Sequence, residues 1–374
     1  MILNSLKKKY SFLYTIGLIV GSLMVLCGCS QSGKNDPQNS GFDRKEMLRQ
    51  YADNIVKPRF GVLQTSIDTL QTTTQTFVNQ PTVQNLDLLQ KSWIGTYEIW
   101  QSARGFNFGP AGEKGITKGL VEEIGTYPAS VTKIEATIKS TQFNFNNFER
   151  DARGFLAVEY LLFNDTPTEI VKQFADKTRR DFLLAATGNI KTRVDAVVRD
   201  WVSYQNEFLA NDGTDVGSST SVVYNEFIRN YEAIKNFKVG LPLGKRPGQT
   251  KAEPDKVEAF YSAESLRFIK ANFKAVEDFY YGRFDGKDGV GFKEYLETVE
   301  GGKALLASTE AQLAIIKKAL DAVPINTPFS QTIVKTPAPV EALHTELQRH
   351  TRFFKSDMSS VLGIAITFSS GDGD

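Results

Sequence analysis

Arg153-Gly154-Phe155-Leu156-Ala157-Val158-Glu159-Tyr160-Leu161-Leu162 reads as an apolar helix that carries one carboxylate. Glu159 lies between Val158 and the Leu161-Leu162 pair. A carboxylate so placed is partly buried and needs a partner to stay charged. Arg153 stands six residues back, on another face of a helix. The partner must therefore come from elsewhere: a cation, a serine hydroxyl or Arg104. The plain alternative is that Glu159 anchors a neighbouring helix by hydrogen bonding. Leu156 and Glu159 are three residues apart and share one helix face.

The same periodicity continues outward. Ile170, Phe174, Phe182, Leu183, Val194 and Val198 recur at helical spacings. Thr166-Pro167-Thr168-Glu169 predicts a helix start, with Thr as N-cap, Pro in the first turn and Glu at the third position. Residues 302–323 and 340–358 follow the same pattern, and only 364–368 leans towards a strand. The expected fold class is all-α, with the abundant Phe residues filling bundle cores. A polar, glycine-bearing stretch at 211–220 breaks the pattern. It marks a linker between a helical-bundle domain over 43–210 and a second over 221–374. Two long loops, 105–127 and 238–254, hold many of the glycines and prolines and suit binding residues carried on a rigid scaffold.

Several pieces, in order, resemble the imelysin-like family, classed as peptidase M75. Its best-known motif is Gly-x-His-x-x-Glu in an apolar helix. Gly154 and Glu159 match it, and Leu156 stands where the family has His. Trp93, Trp100 and Gly105-Phe106-Asn107-Phe108-Gly109-Pro110 are similar to the family's Trp-bearing helix and its closing Phe-Gly-Pro. Arg104 sits about where members carry an acidic residue. Residues 238–244, the Glu258…Ser262-x-x-Ser265 pattern and the end from Leu362 to Asp374 also resemble family segments. The resemblance covers nearly everything after residue 43. It implies two helical-bundle domains and an envelope role in acquiring iron or haem through partner proteins. The motif and binding residues it carries over are Gly154, Leu156, Glu159, Arg104, Phe108, Ser262 and Ser265, with Glu159 as the candidate metal ligand.

Lys7, Lys8 and Lys9 precede an apolar run from Phe12 to Leu26, of signal-peptide length. Leu26-Cys27-Gly28-Cys29 then resembles a lipobox. The expected processing removes 1–28 and lipidates Cys29, leaving 29–42 as a flexible tether. The expected location is the cell envelope, anchored in the outer membrane and facing the periplasm. With both cysteines spent at the cleavage site, no thiol and no disulfide remain in the mature chain. Loss of the three lysines takes the formal charge from +1 to −2. A nearly neutral chain of mixed charge excludes nucleic acid as a partner.

The residue inventory argues against hydrolysis. A catalytic zinc takes about three protein ligands from His, Cys and carboxylate. This chain has His344 and His350 alone, six apart and on different helix faces, and each reads as a solvated or core-edge imidazole on the last long helix. Neither His-Glu-x-x-His nor Gly-x-Ser-x-Gly occurs. The cofactor is left unknown; oxygen donors are plentiful enough for iron or another hard cation. The reading is a non-catalytic, lipid-anchored binding protein. Its alternative is a metal-dependent hydrolase with a degenerate site. The site is expected where Glu159, the 105–110 segment and Ser262/Ser265 converge.

Overall fold

A computed structural model describes residues 41–114 and 117–368. The expected signal peptide, Cys29, the tether up to residue 40 and the Gly371-Asp372-Gly373-Asp374 end lie outside the described residues. Among the described residues the fold is all-α apart from a hairpin of two two-residue strands, β1 (Glu113–Lys114) against β2 (Thr117–Lys118). The first group of helices comprises α1 (Arg44–Arg49), α2 (Lys57–Asn79), α3 (Val83–Ala103), α4 (Leu120–Gly125), α5 (Val131–Ser140), α6 (Gly154–Phe163), α7 (Pro167–Gln173) and α8 (Lys177–Ala210). The second comprises α9 (Ser219–Ala233), α10 (Ser265–Tyr280), α11 (Phe292–Glu297), α12 (Gly302–Ala322), α13 (Phe329–Lys335) and α14 (Ala338–Arg352). Among the described residues no helix is long and apolar enough to cross a membrane.

In the first group α2 packs along both α3 and α8, and α6 lies against α8. In the second α12 lies along α14. The groups meet through α10 against α3, and the described residues form one compact unit. Polar links join them as well. Arg59 on α2 is buried and donates to the carbonyls of Ser102 and Arg283, at 3.2 and 3.1 Å. The start of the first half reaches into the second: Phe42 stacks on Tyr295 at 4.6 Å, and the Tyr51 hydroxyl donates to the Phe279 carbonyl at 2.5 Å. The 211–220 stretch connects α8 to α9, with Thr214, Ser218, Ser219 and Thr220 buried.

Local rules explain most element ends. α7 begins at Pro167 behind Thr166, with Glu169 in its first turn, although the Thr166 side chain itself makes no capping bond. Residues 302–323 form α12 up to Ala322. The 340–358 pattern splits into α14 and a wider π turn, Phe353–Met358. The strand expected at 364–368 does not form. Among the described residues no neighbouring strand lies along it; the Asn225 side chain holds it instead, donating to the Ala365 carbonyl at 3.0 Å and accepting from the Thr367 N–H at 2.8 Å. Both presumed loops carry structure too. Residues 105–127 contain the hairpin and α4, and 238–254 opens inside a π-helical stretch, Ile234–Gly240.

Candidate functional site

α6 begins where few residues would fit. Gly154 has φ +74°, and a Cβ there would stand 2.5 Å from the Ile124 carbonyl oxygen of α4. Glycine alone tolerates both the left-handed backbone and the contact. The apolar face then buries Phe155, Leu156, Val158, Leu161 and Leu162, and Glu159 goes inside with them at 2 % exposure. Its partner is Ser262, 103 residues on: one carboxylate oxygen accepts from the Ser262 N–H and from its hydroxyl, both at 2.8 Å. Burial pushes the Glu159 carboxyl up to about 7; the two Ser262 bonds pull it back and the nearby Glu258 charge adds to the rise. Ser262 is presented by a tight turn in which Ala259 and Ala263 have φ +56° and +62°. For residues with a Cβ this costs on the order of 1–2 kcal/mol each, and packing must over-determine it.

Glu258, one residue before that turn, is the centre of a second buried cluster. Its carboxylate accepts from Lys238 Nζ at 2.6 Å, from the Tyr97 hydroxyl at 2.8 Å and from Arg104 Nη1 at 3.2 Å. Lys238 also donates to Gln101 Oε1 at 2.5 Å. The Glu258 and Lys238 side chains are 0 % exposed and Arg104 is 5 %. Burial alone would raise the Glu258 carboxyl, but Lys238 and Arg104 outweigh it and hold it below its usual range. Lys238 is lowered to about 7, by burial first, with Glu258 opposing and Arg104 assisting. One anion between two cations explains the asymmetry: the cation with the tunable proton yields. Ser265 closes the cluster by donating its hydroxyl to the Glu258 carbonyl.

The sequence-derived residues thus fall into three places. Glu159 and Ser262 touch directly. Arg104 and Ser265 serve Glu258, the next acidic group. Phe108 stands apart: it is buried against Trp201 and Phe208 of α8, at ring distances of 5.8 and 5.7 Å. The 105–110 segment is packing, with Phe106 stacked on Phe279 at 5.2 Å. Arg153 pairs with Glu123 at 2.8 Å, away from Glu159. The sequence did not single out Lys238, Gln101 or Tyr97 as charge partners. Lys238 lies between Phe237 and Val239, the same apolar flanking that marked Glu159, so that signal could have pointed to a buried charge but not to its partner.

Leu156 and Glu159 line one cavity of about 210 Å³, closed by Tyr127, Val257, Phe260 and Tyr261. A metal ion does not fit the donors there. Glu159 supplies one carboxylate whose oxygen already accepts two bonds, Leu156 supplies none, and Glu258 is committed to Lys238 and Arg104. Among the described residues no group of three or more His, Cys, Asp or Glu side chains could hold a metal. His350 is far from this role. It is fully buried on α14 against Phe354 at 4.2 Å, and burial lowers it to about 3. That corrects the expectation of a solvated or core-edge imidazole; His344 is half-buried.

Residues 56–352 match the family model for imelysin, Peptidase_M75. Iron-regulated protein A of Synechococcus elongatus is 22 % identical over 320 residues, spanning 82 % of this chain and 80 % of that protein. Among solved structures, an imelysin-like protein from Psychrobacter arcticum superposes with a TM-score of 0.69 at 18 % identity, covering 87 % of this chain and 97 % of its own. A Parabacteroides distasonis crystal structure gives the same TM-score at 15 % identity, covering 85 % and 95 %. At these identities the likeness establishes the helical fold.

Proposed function

The chain belongs to the imelysin family, and from that premise we propose that it is a non-catalytic, lipid-anchored binding protein serving iron or haem acquisition. One observation carries the non-catalytic part. At the motif helix the carboxylate is tied to a serine and faces a leucine, so the position keeps a shaped, half-apolar cavity without the donors that hydrolysis by a metal needs. The link to iron rests on a relative whose name describes it as iron-regulated. Cys29 tethers the domain to the envelope, where the outer membrane would hold it against uptake partners. The periplasmic face is the side on which such partners are met.

Growth tests the reading. A strain lacking the protein should grow more slowly in chelator-limited medium supplied with ferric chloride or haemin, and recover with the wild-type chain. Equal growth of the deletion strain would remove the iron reading. Chelator-sensitive cleavage of casein by the purified chain would restore the hydrolase alternative. Cys29→Ala should move the protein from the membrane to the soluble fraction; retention in the membrane at wild-type levels would refute the anchor.

A further inference from the structure

A larger cleft opens on the other side of Tyr127 from the Glu159 cavity. It measures about 540 Å³ and runs between α4 and the end of α9, with its π-helical continuation Ile234–Gly240. Most of its wall is apolar, from Val121, Gly125, Ala233, Phe237 and Leu241. Phe368, from the far end of the described chain, covers one side and is held there by Arg229, whose guanidinium lies 4.8 Å from the ring centre. Phe237 is 44 % exposed and marks the mouth; Arg104 is 5 % exposed and marks the inner end.

Just beneath the surface of the inner end lie hydrogen-bond donors that the protein does not use, while Glu122, Glu232, Arg150 and Arg229 add charges of both signs to the lining. Arg104 gives Nη1 to Glu258, but its Nε is buried and has no acceptor. The Tyr127 hydroxyl is buried without a partner. Trp100 Nε1 is a third such donor, and it lies behind the cleft wall at Gly125, where a Cβ would stand 3.1 Å from it. Folded proteins pair nearly all buried polar groups, so unpaired donors just beneath the closed end of an apolar cleft are a recognition feature. All three call for an acceptor, and a guanidinium calls for an anionic one.

We infer that this cleft is a binding site for an amphipathic organic carboxylate with a flat apolar body. The body lies against Phe237, Leu241 and Phe368. The carboxylate reaches the inner end and, once a small side-chain shift uncovers them, accepts from Arg104 Nε and the Tyr127 hydroxyl. The site is separate from the Glu159 cavity, and it stands whether or not the iron reading does.

The test uses the purified chain with 1-pyrenebutyrate and its uncharged counterpart 1-pyrenebutanol, followed by fluorescence titration. The carboxylate should bind saturably, one per chain, and at least about tenfold more tightly than the alcohol, the worth of one charge-assisted bond. Tyr127→Phe should weaken the carboxylate about tenfold and leave the thermal midpoint of the free protein unchanged, because the lost hydroxyl had no protein partner. Ala233→Trp should fill the cleft and abolish binding. Equal affinity for acid and alcohol overturns the assignment, as does unchanged affinity in Tyr127→Phe. If Ala233→Trp fails to fold, the Tyr127→Phe and acid-versus-alcohol comparisons still decide.

Discussion

Glu159→Gln isolates the buried acid on α6. Folded, the Glu159 carboxyl titrates near 7; its ordinary value is 4.5. Between those values the unfolded chain loses its proton and the folded one keeps it. Stability from this group is therefore fully present below 4.5 and is lost as pH rises through 7. At about 1.36 kcal/mol per pH unit, a separation of this size costs on the order of 3 kcal/mol at high pH. Linkage over pH 5 to 8 gives about 2.5 kcal/mol of that loss. No discount for solvent applies, since the side chain is buried. Glutamine keeps an oxygen for the two Ser262 donors and has no proton to lose. The variant should match the wild type within about 1 kcal/mol at pH 5 and exceed it by about 3 kcal/mol at pH 8. Urea unfolding of both proteins at the two pH values measures this, and taking their difference cancels every other titrating group. A difference that stays constant from pH 5 to pH 8 would show that Glu159 is not a raised, buried acid.

Gly154→Ala should cost about 3 kcal/mol, from a left-handed φ and a Cβ 2.5 Å from the Ile124 oxygen, read from the urea midpoint. Within the Glu258 cluster the two sides should differ. Glu258→Gln strands Lys238 and Arg104 and should cost about 3–5 kcal/mol, whereas Lys238→Met leaves the Arg104–Glu258 pair intact and should cost clearly less. The reverse order in urea unfolding would mean that the lysine, not the glutamate, centres the cluster. His350 should stay neutral down to about pH 4 in a side-chain NMR titration, because its folded value is near 3. The unfolded imidazole takes up its proton first, so acidification below 6.5 should erode stability through this group; a mid-point near 6.5 in the folded protein would refute its burial.

Local chemistry fixed several features that needed no partner. Helical spacing of apolar residues set the all-α class, because a helix closes its own backbone bonds and asks only for one buried face. Thr166-Pro167-Thr168-Glu169 set where α7 begins, since proline's ring suits a first turn. The apolar neighbours of Glu159 required a buried carboxylate and a donor, and a serine hydroxyl was among the donors the composition offered.

The choice of donor was a tertiary matter. Ser262 lies 103 residues from Glu159, and Glu258 lies 154 residues from Arg104; nothing within one turn of either residue encodes those meetings. The same holds for Phe108, which a loop reading places at a site and the fold places against Trp201 and Phe208. It holds also for His350, whose helix spacing is indifferent to whether its face meets water or Phe354. Period and capping are energies of neighbours in sequence, so the sequence alone determined the helices. Burial, charge pairing and the cavity beside Leu156 are energies of neighbours in space, and only the packing of α3, α6, α9 and α10 decided them.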